Sequence, residues 1–229
     1  MTHTDAQPTS GPSSHTNAVA PVTKPRMRGW LHLVACPILV IAAGILLFFA
    51  RDTGTRIAVV VYLLGALMLF GVSATYHRGT WSPKALNVLR RWDHSNIFVF
   101  IAGTYTPLAV GLLEGTSRTV LLVLVWSVGL LGLASRMIWL GAPRKLYTVL
   151  YVAMGWIAIG WIVPFYQAGG PLAVALIIVG GLIYSLGAVA YAFKRPNPWP
   201  GTFGFHEVFH LCTVIAAACH FAAITMAVV

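Results

Sequence analysis

The chain has 229 residues, of which 58% are hydrophobic and only 9% charged, and its mean hydropathy is +0.81. These values lie outside the range of ordinary soluble domains and point to an integral membrane protein. The net charge of +10 does not argue for nucleic acid as a partner, because the basic residues fall in short breaks between apolar runs, where they set membrane orientation.

Residues 1–25 are rich in Pro, Ser and Thr and contain no apolar stretch that could serve as a signal-peptide core, so they predict a disordered, uncleaved tail. His3 and His15 within it read as solvated side chains. From residue 26 to 229 the chain predicts an all-α fold, a seven-transmembrane helix bundle. With about 17–25 apolar residues per span, the helices fall near 30–50, 57–76, 94–113, 119–140, 146–167, 171–193 and 205–228. The break inside "FYQAGGPLAV" is short and uncharged, so six spans is the alternative count.

Lys24, Arg26 and Arg28 precede the first helix, and Arg78, Lys84, Arg90 and Arg91 lie between the second and third. Arg136, Arg144 and Lys145 flank the break between the fourth and fifth, and Lys194 and Arg195 precede the seventh. Only Arg51, Arg56 and Arg118 fall on the other side, which predicts a cytoplasmic N-terminus and an external C-terminus. Cys36, Cys212 and Cys219 are odd in number and lie in apolar helix, where free cysteine acts as a small hydrophobe. Cys212 follows His210 by two residues and so points away from it.

Ionisable groups at membrane depth are expensive, which singles out "HEVFHLCTVIAAACH" at residues 206–220. His206 and His210 are one helical turn apart on one face and can share an ion. "SATYHR" closes the second helix with Ser73 and His77, and "RRWDHSNIF" opens the third with Asp93 and His94. In a serpentine bundle the ends of even helices and the starts of odd ones lie on one side. His77, Asp93, His206 and His210 therefore share a leaflet, which the charge pattern identifies as cytoplasmic.

Three neutral imidazoles with one open position are an arrangement suited to catalytic zinc, and a nearby carboxylate then handles the proton of the activated water. Asp93 is the candidate carboxylate, its other reading being a helix N-cap. Ser73 lies one turn before His77 and can reach the same cavity, unless it bonds back to its own helix. Glu207 reads equally as a site residue or as a favourable charge at a helix N-terminus. His220 is about 15 Å beyond His210 along the axis, which suits a supporting or packing role.

"SATYH", "DHSNIFVFIAGTYTP" and "HEVFH" with a further His ten residues on together resemble the hemolysin III family, within the progestin and adipoQ receptor group that includes the adiponectin receptors. The alkaline ceramidases resemble it more distantly. The resemblance runs from about residue 28 to the C-terminus and implies a seven-helix bundle with an inner-leaflet Zn2+ on His77, His206 and His210. It further implies roles for Asp93 and Ser73 and a cytoplasmic N-terminus. Before the first helix this chain has "KPRMRGWLH", which keeps only the Gly and His32 of the segment found in bacterial relatives.

The function expected is a zinc-dependent hydrolase of a lipid-like amide or ester at the inner leaflet of the plasma membrane, with membrane lipids as its surroundings. One alternative is a pore-forming (hemolysin-type, cytolytic) or membrane-homeostasis protein without turnover. The other is an intramembrane metalloprotease using the H-E-x-x-H string with Glu207 as base.

Overall fold

The computed structural model describes residues 24–139 and 141–229, so most of the expected tail, with His3 and His15, lies outside the described residues. Those residues form helices joined by short connections, with one isolated bridge between Trp199 and Phe203. The helices are α1 (Trp30–Phe49), α2 (Thr53–Arg78), α3 (Pro83–Leu112) and α4 (Gly115–Ile138). A 50-residue helical stretch, Arg144–Phe193, and the last helix, Phe205–Val228, complete the fold. Among the described residues these six are long and apolar enough to cross a bilayer.

The 50-residue stretch is not one rod. Gly170 has φ 73° and ψ −179°, a left-handed-side conformation that glycine adopts without a Cβ clash, and Pro171 follows it. Trp156 Nε1 donates to Ser185 Oγ at 3.0 Å, and an Arg144 guanidinium nitrogen donates to the Tyr191 carbonyl at 3.3 Å. In a continuous helix Arg144 and Tyr191 would be about 70 Å apart. The chain therefore folds back at Gly170 into two antiparallel arms, α5 (residues 144–169) and α6 (residues 171–193), and Phe205–Val228 is α7.

The sequence-based start of the third helix, near residue 94, is corrected to Pro83. Ser82 caps it, accepting from the Ala85 N–H at 3.3 Å, and Pro83 occupies the first helical position, where its missing N–H costs nothing. The basic run Lys84–Arg91 fails a hydropathy test but not a helical one. At 30 residues α3 is about 45 Å long, against a hydrocarbon core of about 30 Å, so its first turns project beyond the apolar zone. Asp93 lies well inside the helix and is no N-cap. The second helix likewise begins at Thr53, where Asp52 accepts from the Thr55 N–H at 2.9 Å.

Helices pack closely where side chains are small, as expected where no hydrophobic force drives helix association. A Cβ on Gly111 of α3 would stand 2.3 Å from the Ala227 carbonyl oxygen of α7, so that crossing requires glycine. Phe48 and Ile138 are more than four-fifths exposed, as lipid-facing side chains are. Between Ala66 and Val72 the second helix widens into a π-turn over Leu67–Gly71. The Met68 carbonyl in that turn accepts from Asn96 Nδ2 at 2.7 Å, a part-buried bond that ties α2 to α3 one turn before Ser73.

Contacts sort the helix ends into two groups. At one end the Arg51 N–H donates to the Val228 carbonyl, and Trp161 Nε1 donates to Ser117 Oγ at 3.0 Å. At the other gather the start of α1, the end of α2, the early turns of α3 and the start of α7, and this end carries the candidate site.

Candidate metal centre

His77 is in the last turn of α2, and His206 and His210 are in the first turns of α7. Each offers a ring nitrogen, and the three nitrogens lie within 4.8 Å of one another. His77 Nε2 and His206 Nε2 are 3.1 Å apart. Two nitrogens bound to one tetrahedral ion at about 2.05 Å would be separated by about 3.3 Å, so this spacing fits a shared metal. The sequence-based grouping is thus a cluster that could hold a metal ion.

Asp93 of α3 approaches the cluster, with Oδ2 3.9 Å from His77 Nε2, and it is within hydrogen-bonding reach of the Ser73 hydroxyl. Asp93 and Ser73 are both buried. A carboxylate beside imidazoles is a group able to take and return a proton.

Glu207 is only 1% exposed and belongs elsewhere. Its Oε1 accepts from Arg28 Nε at 2.5 Å, and its Oε2 accepts from the Gly204 N–H at 2.9 Å. Of the two readings its sequence allowed, the structure shows the helix-start one, reinforced by an arginine that charge counting had used only for orientation. Backbone bonds from the Arg26 N–H to Gly201 and from the Met27 N–H to Thr202 hold the same segment against the loop before α7. Lys24 Nζ reaches the His77 carbonyl, and burial, together with Arg28 and Arg78 nearby, holds its pKa below the usual lysine value. Gly29, at φ 81°, packs so tightly that a Cβ there would stand 2.6 Å from the Cβ of His77.

The Arg28–Glu207 pair should respond asymmetrically to substitution. Arg28→Met leaves Glu207 charged and buried, and should cost about 3–5 kcal/mol. Glu207→Gln leaves Arg28 19% exposed, able to reach water, and should cost about 1.5–3 kcal/mol. Thermal unfolding of the two variants in one detergent, with wild type alongside, measures the order.

His94 is not one of the three histidines whose nitrogens converge. Its Nδ1 is 3.2 Å from an Arg136 guanidinium nitrogen and its Nε2 is 3.4 Å from the Tyr191 hydroxyl, while its carbonyl accepts from the Tyr151 hydroxyl at 2.9 Å. His220 Nε2 lies 3.1 Å from the Ile177 carbonyl of α6, far from the cluster. His32 stacks face to face on His210, with ring centroids 3.8 Å apart and planes 2° from parallel. Cys36, Cys212 and Cys219 are free, and Cys212 packs where a Cβ on Gly187 would stand, 2.7 Å from its own Cβ.

Ser73, Asp93, His206 and His210 line one end of a cavity of about 340 Å3 whose wall is mainly apolar. Leu108, Ile162 and Ile177 line it further in, and Arg90, Arg136 and Arg144 also contribute. Sequence reasoning did not assign Arg136, Arg144 or Tyr191 to the site. Their positions at helix ends on the histidine side were the available signal.

The chain is 33% identical over 165 residues to the "Hemolysin-3 homolog" of Bacillus subtilis (strain 168), covering 71% of this chain and 76% of that one. It is 30% identical over 193 residues to the "Hemolysin-3" of Bacillus cereus, covering 83% and 85%. Similarity extends to the "Adiponectin receptor protein" of Drosophila melanogaster, 25% over 221 residues, covering 84% of this chain and 48% of that one. Residues 21–221 match the family described as Haemolysin-III related, and with its apolar helices the chain is a multi-pass membrane protein belonging to that family.

Proposed function

We propose that the chain is a zinc-dependent membrane hydrolase acting on an amide or ester of a lipid-like substrate. The observation that carries this reading is that two of the three clustered histidines, His206 and His210, and the Asp93 carboxylate line a mainly apolar cavity. Imidazole nitrogens suit zinc over magnesium or calcium, and zinc would supply Lewis acidity and an activated water. His77, His206 and His210 would hold the ion. Asp93 would hold and move the proton, and Ser73 would orient the Asp93 carboxylate through its hydroxyl. The apolar wall would take an acyl chain and exclude bulk water from the reacting end.

The metalloprotease alternative loses its base, since both carboxylate oxygens of Glu207 are engaged by Arg28 and Gly204. The names of the Bacillus relatives motivate the pore-forming alternative, and leakage of a dye from liposomes containing the protein tests it.

The proposal includes seven crossings, supported by the fold-back at Gly170, with the N-terminus cytoplasmic and the centre at the inner leaflet of the plasma membrane. Residues 28, 136 and 144 then share the cytoplasmic side, in line with the positive-inside pattern. Labelling of single cysteines introduced at Thr80 and Glu114 should show opposite sidedness.

Purified protein in nanodiscs should contain about one zinc per chain and release fatty acid from some member of a panel of N-acyl amides and acyl esters. Treatment with a chelator should abolish release, and restoring zinc should return it. Turnover that persists after metal analysis shows the zinc gone would overturn the reading.

A further inference from the structure

His32 is the third residue of α1, is 2% exposed, and sits between two rings. Its face lies on His210, and Phe70 meets it edge to face with centroids 4.9 Å apart and planes at 82°. Among the described residues neither of its nitrogens has a hydrogen-bond partner. Outside the cluster, His94 has partners for both nitrogens, and His220 meets the Ile177 carbonyl through Nε2 while its Nδ1 is unpartnered, so His32 differs in having neither nitrogen engaged.

A buried polar group without a partner is costly, and a phenyl ring would fill the same slot between His210 and Phe70 without that penalty. An imidazole in this place implies that a nitrogen meets something. His32 lines the same cavity as Ser73, Asp93, His206 and His210. It is not one of the three residues whose ligating nitrogens converge, and it lies beside His210 at stacking distance. It therefore stands beside one of the clustered histidines without belonging to the cluster.

We infer that His32 is a further residue of this centre, hydrogen-bonding the oxygen-bearing group that takes the coordination position left open by His77, His206 and His210. The inference rests on the metal-site reading above. The chemical class it recognises is an oxygen donor such as water, a carbonyl or a carboxylate, and the stack on His210 fixes the imidazole plane so that its nitrogen addresses that donor.

The test uses full-length protein loaded with cobalt(II), which reports coordination through its visible bands, and acetohydroxamate as the oxygen-donor probe. Wild type should take up cobalt and shift its bands on adding the probe. His32→Phe keeps the stack and removes both nitrogens. It should keep cobalt and an unchanged band pattern, yet bind the probe about tenfold more weakly, the size of one hydrogen bond. His32→Gln, which retains hydrogen-bonding atoms, should hold the probe within about threefold of wild type, and it serves as the decisive variant should the Phe protein not fold. Wild-type probe affinity in His32→Phe would overturn the inference, as would loss of cobalt from that variant or probe affinity in His32→Gln reduced tenfold. Failure of wild type to bind cobalt would instead remove the metal-site reading itself, and the inference with it.

Discussion

Replacing His210 by Ala should strip the purified protein of metal, lowering affinity by more than about 100-fold, beyond the range seen when only a ligand's supporting partner is lost. His206→Ala should do the same, because the two come from one face of α7 and each supplies one of the converging nitrogens. The three converging nitrogens are those of His77, His206 and His210, and Asp93 Oδ2 at 3.9 Å from His77 is not positioned to replace a nitrogen. The variants should also unfold at lower temperature in detergent, since metal bound only by the folded state adds its binding free energy to stability. Metal analysis with thermal unfolding checks both, and stoichiometric zinc in the double variant would refute the centre as drawn.

Asp93→Asn should leave metal content near the wild-type value and reduce turnover by about 10²–10⁴-fold, the range associated with a general acid or base. The substitution keeps the shape of the side chain and its reach to Ser73 while removing the capacity to take a proton. Because α3 begins at Pro83 with Ser82 as its cap, the change touches no helix terminus, and a stability effect of N-cap size is not expected. Glu207→Gln is the control. It also removes a buried carboxylate, yet its cost should appear in unfolding temperature and not in turnover, since Glu207 binds Arg28 and Gly204. If Asp93→Asn kept activity while Glu207→Gln lost it, with zinc unchanged in both, the protease-like chemistry would replace the proposed one.

Much of this was legible in the residues. Apolar runs of membrane length define the helices, and a serpentine path places the end of α2 and the start of α7 on one side regardless of packing detail. The pairing of His206 with His210 follows from helical pitch alone. That His77 joins them required only that the chain alternate direction. The burial of Asp93 near His77 was within reach for the same reason, although its place in the helix was misread. Basic residues mask a helix when hydropathy is the guide, and Ser82 followed by Pro83 was the stronger local signal.

Groups whose partners lie far along the chain are assigned only by packing. Glu207 looks identical in sequence whether it faces a metal or an arginine; in the fold its partner is Arg28, 179 positions away, because a carboxylate is costly to bury without a cation beside it. His94 is adjacent to Asp93, but the helix turns it toward Arg136 and Tyr191 instead. His32 carries no spacing relationship to the other histidines, and its stack on His210 arises from the way α1 crosses the start of α7. The turn at Gly170 is local in origin and tertiary in outcome: "GGP" breaks a helix, and the bonds from Trp156 to Ser185 and from Arg144 to Tyr191 show that the chain reverses there. Periodicity and hydropathy describe what a segment prefers locally, so they determine helices, sides and faces. Which buried polar group meets which is determined by the packing of helices against one another, because the cost of leaving such a group unpaired is met by residues that no local pattern connects.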